Sequence, residues 1–506
     1  MYFRTFTLVS AVALLLGCAG DPGSRTVVDE AITAMGGLDK LQAVESIVRR
    51  GAGSRTMIGQ VRTADEAPTA ATLTNYTEAL EFGGGRAMVE YDLAFGAFEQ
   101  HRVEAITKQG RGIDAAPVGY QMINDRGSVV STDALLSYSA FDTPAMALQR
   151  DIVNVMIDAN EETRTSTRIA VALDFEGTPS RRVEIEFKGQ NVQLFFNPET
   201  KLLAGFEAME TDPFLGDVPV QYVFGDYREV DGLLVPYEMK IVKDGDEVAN
   251  MRYDSIGLNE KLPGSDYAIP EEMEEEAVTA SERESVPIEL NRLSRGVYQV
   301  VGFSHNSMVV EFPNYLVVVE APLNEVQTIA MIRAVREEFP LKPIQYAIVT
   351  HPHPDHVGGL RRLASIGTTL LVEQRHEDAI RKLIDARHGY TPDSLHTMAN
   401  TPGRRGDIGG IETFSGQHEL KDGNRTIQLF ALEDSAHVTP MVVAYLPGER
   451  ILFQSDLYTP GSPTATPEST GLFEAIESLE IRVDTIVGGH GATADFSELA
   501  EMSQGS

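Results

Sequence analysis

The chain has 506 residues, a formal net charge of -33, 42% hydrophobic residues and 23% charged residues. That length exceeds one ordinary hydrophobic core and sets an expectation of two domains, with ordinary globular composition. The acidity argues against a nucleic-acid partner, because phosphate binding needs clustered Lys and Arg. It argues equally against broad adhesion to anionic lipid.

The N-terminus reads as an address. Arg4 precedes an apolar run from Phe6 to Gly17, which Cys18 follows. A segment of about 12 apolar residues is too short to cross a bilayer of about 30 Å as a helix, and it predicts a signal peptide. Leu15-Leu16-Gly17-Cys18 resembles the lipobox of bacterial lipoproteins. The resemblance implies cleavage before Cys18 and acylation there, with two or more chains giving stable anchoring. Cys18 is the single cysteine of the sequence, so no intramolecular disulfide is possible. Ala19 after it, rather than Asp, implies sorting to the periplasmic face of the outer membrane.

Residues 26–48 predict a helix, with Val27, Val28, Ile32, Leu38, Leu41 and Val44 at helical spacing and Gly36-Gly37 interrupting. Short alternating segments follow, among them Arg181–Phe187, Val192–Phe196, Val218–Phe224, Leu234–Val242 and Val248–Tyr253. Tight turns such as Asp231-Gly232 and Asp244-Gly245 lie beside them, which predicts an antiparallel sheet. Ala34 to Leu41, and Phe224-Gly225-Asp226-Tyr227 followed by Val230 to Pro236, resemble the outer-membrane lipoprotein carrier. That family implies an antiparallel β half-barrel around a helix, here over 26–270. Gly51-Ala52-Gly53-Ser54 is no phosphate loop, since no Lys follows at the needed spacing. Glu271 to Glu284 holds seven Glu and no apolar periodicity, and predicts a solvated acidic linker over 271–287.

Beyond the linker the pattern changes. Val297–Phe303, Met308–Phe312 and Tyr315–Val319 read as strands, and Glu325–Glu338 as a helix. A buried strand at Tyr346–Val349, a helix from Val357 and a strand at Thr369–Val372 continue an α/β pattern. Residues 374–405 read as an inserted helix plus loop, of the kind that borders sites. Ten of the eleven histidines lie in this second part, and only His101 lies before it.

Thr350-His351-Pro352-His353-Pro354-Asp355-His356-Val357-Gly358-Gly359 follows the buried strand and opens the helix. Three imidazoles and a carboxylate this close are costly to bury unless a dication accepts them. The HxHxDH pattern resembles the metallo-β-lactamase superfamily. The resemblance implies an αββα sandwich over 288–500. It implies that His351 and His353 bind one metal and Asp355 and His356 the other. His437 matches the third ligand of the first metal, Asp456 the bridging carboxylate, and His490 the last ligand of the second metal. Asn306-Ser307 and Val317 to Pro322 resemble the family's opening hairpin. Glu320 stands where many members carry Asp behind the metals, and is not taken as a ligand.

The same resemblance implies a dinuclear hydrolase with two zinc ions, iron or manganese being alternatives. A hydroxide formed between the ions would attack a small ester, lactone or amide, with Asp355 orienting it or carrying its proton. Two other readings stay open: a β-lactam hydrolase, and a lipid- or acyl-binding envelope lipoprotein in which the metal domain is auxiliary. The partners expected are a small-molecule substrate and a membrane reached through the lipid anchor. Nothing in the sequence sets an oligomeric state.

Overall fold

A computed structural model describes residues 23–56, 58–63, 66–68, 70–95, 98–108, 117–124, 126–131, 147–148, 150–164, 168, 170–187, 190–260, 287–462 and 464–504. The signal segment with Cys18, and the acidic run Glu271 to Glu284, lie outside the described residues. Among the described residues no helix is long and apolar enough to cross a membrane.

The first half is built on one thirteen-stranded antiparallel sheet. Each strand pairs with its chain neighbour: six run outward from Ser46–Thr56 to Arg126–Ser131, and seven return from Val171–Phe175 to Asp246–Leu258. The first and last meet, with Ile47 opposite Leu258 and Gly53 opposite Met251. Two helices, Ser24–Met35 and Ile152–Thr163, share one hydrophobic core with this sheet through Val28, Ile32, Met35, Val153 and Met156. At the start of Ile152–Thr163, the Asp151 carboxylate accepts from the Val153 N–H at 2.8 Å. The same carboxylate pairs with the buried Arg49 of the sheet, whose other partner is Glu78.

The helix expected over 26–48 is shorter than its periodicity implied. It ends at Met35, because Gly36 and Gly37 take positive φ values of 125° and 101°. That break is cheap for glycine and costly for other residues. A five-residue helix, Leu38–Gln42, follows, and the β-branched Ile47 and Val48 already belong to the strand Ser46–Thr56. Gly51 to Ser54 sit inside that strand rather than in a loop.

The second half consists of two face-to-face sheets. The seven-stranded sheet runs Glu289–Ser294, Val297–Val301, Asn306–Glu311, Leu316–Val319, Ile344–Ile348, Thr369–Glu373 and Ile411–Phe414. Its first four strands are antiparallel, and the last three add in parallel. The six-stranded sheet runs from Gln417–Asp422 to Ala494–Asp495. Val310, Val319 and Ile348 of one sheet meet Leu429, Val442 and Phe453 of the other in a central core. Helices cover both outer faces. Glu325–Glu338 and Leu360–Ser365 pack on the first sheet through Met331, Val335 and Leu363. Pro467–Ser478 and Phe496–Gln504 pack on the second through Leu472, Ile476 and Leu499. This is the expected αββα layering.

The insertion after Glu373 carries two α-helices, Glu377–Asp385 and Ser394–Asn400, where one was expected. Asp393 caps the second by accepting from the His396 N–H at 2.7 Å, a local signal of N-cap type.

Candidate metal centre

The histidines and acids meet at one end of the sandwich because each follows a strand terminus. Glu320 follows Leu316–Val319, and Thr350 to His356 follow Ile344–Ile348. His437 lies beyond Arg425–Leu432, Asp456 just after Ile451–Ser455, and His490 after Thr485–Gly488. The turn out of His351 to His356 is tight: a Cβ on Gly358 would run into the Leu323 carbonyl oxygen, and one on Gly359 into the Thr328 hydroxyl. Gln454 shapes the Asp456 loop, its side-chain oxygen accepting from the Leu457 and Tyr458 N–H groups at 2.8 and 2.9 Å.

Two clusters result, beside a third, fully buried group of Glu320, His351 and His356. His351, His353, His437 and Asp456 bring their donor atoms within 4.8 Å of one another, and so do His305, His356 and His490. Asp456 lies between them. Its Oδ2 is 2.9 Å from His356 Nε2, 3.3 Å from His437 Nε2 and 3.8 Å from His351 Nε2, while its Oδ1 is 3.3 Å from His490 Nε2. Asp355 stands at the rim, with Oδ2 3.3 Å from His305 Nε2 and 3.8 Å from His356 Nε2. His351, His353, His356 and His305 are buried, while His437, His490 and Asp355 border solvent.

The outward nitrogens of the rings are engaged, and this decides which nitrogen faces inward. His356 Nδ1 donates to Glu320 Oε2 at 3.0 Å, His353 Nε2 to the Val61 carbonyl at 3.0 Å, and His490 Nδ1 to the Ser304 carbonyl at 3.1 Å. Carbonyls and carboxylates only accept, so each of these nitrogens carries the proton. Thr350 Oγ1 donates to Glu320 Oε1 at 2.5 Å, leaving its lone pair for His351 Nδ1 at 3.0 Å. The inward atoms His351 Nε2, His353 Nδ1, His356 Nε2 and His437 Nε2 are buried and lack a well-formed hydrogen bond among the described residues. Such orphaned atoms are rare in native folds and call for a partner.

Electrostatics point the same way. Among the described residues, Glu320, Asp355 and Asp456 form their ion pairs with histidines, not with Lys or Arg. Burial pushes His351 well down, and His305 and His353 down to about 4, so these rings are neutral at pH 7. For His356, burial is outweighed by Asp456, Glu320 and Asp355, which push it up. A neutral His356 would aim a lone pair at Asp456 Oδ2, so that contact needs a proton or a metal ion between them. Imidazole nitrogens with one carboxylate common to both clusters form a donor set suited to first-row divalent ions.

All seven residues singled out in the sequence therefore converge here. Sequence reasoning missed His305, which lies 4.0 Å from His490 and 4.9 Å from His356, ring centre to ring centre. Its signal was present, directly before the Asn306-Ser307 pair. Asn306 itself holds the His490 loop, its Nδ2 donating to the Gly491 carbonyl at 2.8 Å. Gln60 and Val61, also missed, reach the site from the first half of the chain and carry no motif.

Residues 300–490 match the model of the metallo-beta-lactamase superfamily, and this region forms a domain of that superfamily. No curated protein matches the chain. Solved structures similar to it include a metallo-beta-lactamase from Pontibacter korlensis, with 16% identity over 43% of this chain and 98% of that one, and a TM-score of 0.35. FIM-1 from Pseudomonas aeruginosa in its mono-zinc form gives 18% identity, 44% and 96% coverage and a TM-score of 0.33. DIM-1 metallo-beta-lactamase gives 18% identity, 44% and 97% coverage and a TM-score of 0.31. Superfamily membership and the clustered His and Asp residues support a metal-dependent hydrolase.

Proposed function

We propose that this protein is a two-metal hydrolase of a small ester, lactone or amide, held on the cell envelope by an acylated Cys18. The observation that carries the reading is the set of buried, inward nitrogens of His351, His353, His356 and His437, which lack a well-formed hydrogen bond and gather around the shared Asp456. In this assignment His351, His353 and His437 would hold one ion and Asp355, His356 and His490 the other, with Asp456 placed between the two sets. Zinc is the ion proposed, with iron and manganese as the alternatives to be loaded in parallel. Bound divalent ions would supply Lewis acidity, polarising a substrate oxygen and making water acidic enough to serve as a nucleophile at neutral pH.

The chain's own residues supply order. Glu320, Thr350, Ser304 and Val61 hold the outer ring nitrogens, so the imidazoles cannot rotate away. Asp355 is tethered through both oxygens, by Gln60 Nε2 at 2.7 Å and His305 Nε2 at 3.3 Å, yet borders solvent. It is placed to orient an attacking water or to carry a proton to a leaving group. The net charge of -33 favours a small neutral or cationic substrate over nucleic acid. The large antiparallel sheet packed on Ser24–Met35 and Ile152–Thr163 supports a half-barrel reading for 26–270, with the hydrolase domain at 288–500.

The test is a hydrolysis screen of residues 19–506 loaded with zinc, against chromogenic β-lactam, lactone, thioester, carboxyl ester, phosphodiester and sulfate ester substrates. The reading expects turnover of an ester, lactone or amide that disappears with chelator and in His351→Ala. Turnover that survives both treatments would refute it.

A further inference from the structure

The connection between the first two strands of the N-terminal sheet does not stay with that sheet. It lies on the two loops that bring His353, Asp355 and His437 together. Gln60 Nε2 donates to Asp355 Oδ1 at 2.7 Å, and the Val61 carbonyl accepts from His353 Nε2 at 3.0 Å. Next in line, the Arg62 carbonyl accepts from the Thr439 N–H at 2.9 Å, and Arg62 Nε donates to the Ser435 carbonyl at 3.2 Å. Gly59 has a positive φ of 77°, and a Cβ there would come within 2.8 Å of Pro354, the residue between His353 and Asp355. Four consecutive residues, nearly 300 positions away in sequence, thus touch one candidate ligand loop at three successive residues and brace the other.

We infer that residues 59–62 are a working part of the metal centre, and that the N-terminal half acts on the chemistry by positioning His353 and Asp355. The inference rests on the two-metal reading. Val61 offers His353 only an acceptor, which keeps the proton on Nε2 and turns Nδ1 inward. Gln60 offers Asp355 only a donor at Oδ1, which leaves Oδ2 directed at His305 and His356. The first contact fixes a residue of one donor cluster, and the second fixes the carboxylate at the rim of the other, 3.8 Å from His356 Nε2. The Gln60 amide and the Val61 carbonyl both lie outside the sandwich, which itself holds the Asp355 carboxylate through the longer His305 contact at 3.3 Å on Oδ2.

The alternative is that 59–62 merely docks one half of the chain on the other. A second contact separates the two ideas. Asp217 of the N-terminal sheet accepts from the Gly389 and Tyr390 N–H groups at 2.6 and 3.3 Å, on the insertion and away from the ligand loops. Loss of the Asp217 contact loosens docking without touching the centre.

The experiment is cobalt(II) binding to the full mature chain, followed by visible absorption and by competition with a chelator. It compares wild type with Gln60→Ala, Gln60→Glu, Gly59→Val and Asp217→Ala, with circular dichroism confirming folding. The inference expects Gln60→Ala to weaken cobalt binding about 10–100-fold and to alter the visible spectrum. Gln60→Glu removes the donor to Asp355 and adds a carboxylate that attracts a cation, so its visible spectrum departs from wild type, while Asp217→Ala keeps wild-type affinity and spectrum. Wild-type cobalt behaviour in both Gln60 variants, or equal losses in Asp217→Ala, would overturn it. If Gly59→Val does not fold, the half-buried Gln60 decides alone. A wild-type chain that takes up no cobalt would overturn the two-metal reading and this inference with it.

Discussion

Glu320 is the side chain on which the largest consequence of a one-atom change can be worked out. It is buried, and its carboxylate gathers three donors: Thr350 Oγ1 and Ser455 Oγ at 2.5 Å on Oε1, and His356 Nδ1 at 3.0 Å on Oε2. Glu320→Gln keeps the shape and the strained backbone, whose φ is 66°, so strain cancels in the comparison. The amide oxygen can still accept from both hydroxyls. Its NH2 then faces His356 Nδ1, which must become an acceptor, and the ring proton moves to the inward Nε2. One buried hydrogen bond to a charged group is lost, about 1.5–3 kcal/mol. At about 1.4 kcal/mol per decade that is a roughly 10–100-fold fall in metal affinity, matching the usual effect of losing a carboxylate behind a ligating histidine. A zinc competition titration with a chelating dye measures it. A Gln variant that binds both equivalents within about twofold of wild type would refute the idea that Glu320 sets the His356 tautomer.

Asp456→Ala should lower metal content and turnover together, because Asp456 is common to both sets of histidines; metal analysis beside an activity assay checks this. In the metal-free protein, burial holds His305 and His353 at about 4, against about 6.5 when unfolded. Between those values the unfolded state binds more protons, so the contribution of these two residues to stability is lost as pH falls from about 6.5 to 4. NMR titration of the two rings should show midpoints near 4. Lys243→Met should destabilise the N-terminal sheet by up to about 3–5 kcal/mol in urea, since it removes the counter-charge 2.7 Å from the buried Asp212 and leaves it the Phe214 and Leu215 N–H groups as donors. Asp212 is pushed up by burial but further down by Lys243 and two backbone N–H groups, so the pair stabilises above the usual carboxylate range and fails as pH falls below about 4. If Cys18 is acylated as proposed, the wild type takes up labelled fatty acid in cells and Cys18→Ser does not, which metabolic labelling reads directly.

The candidate ligands were legible because metal chemistry restricts residue type and spacing at once. His351 to His356 form a dense local pattern, and His437, Asp456 and His490 each follow an apolar strand that reads as buried. The helix Glu325–Glu338 was legible from its apolar periodicity, and in the fold the Asn324 side chain caps it by accepting from the Gln327 N–H. Less was legible where geometry rests on tertiary contact. The interruption at Gly36-Gly37 was visible in the sequence, but the close approach of the Gly232 carbonyl to Gly36, from nearly 200 residues away, was not. His305 looks like any histidine before a strand until the fold lays it on His490. Gln60 and Val61 act through a side-chain amide and a main-chain carbonyl, and a backbone acceptor leaves no trace in residue type.

The proposed chemistry depends throughout on two ions, held by the His and Asp residues on either side of Asp456. Anomalous diffraction at the zinc edge from zinc-loaded crystals locates such ions without reference to activity. Two peaks are expected, one among His351, His353 and His437 and one beside His356 and His490, with Asp456 touching both. No peak, or zinc bound only away from Asp456, would show that these residues do not form a dinuclear centre.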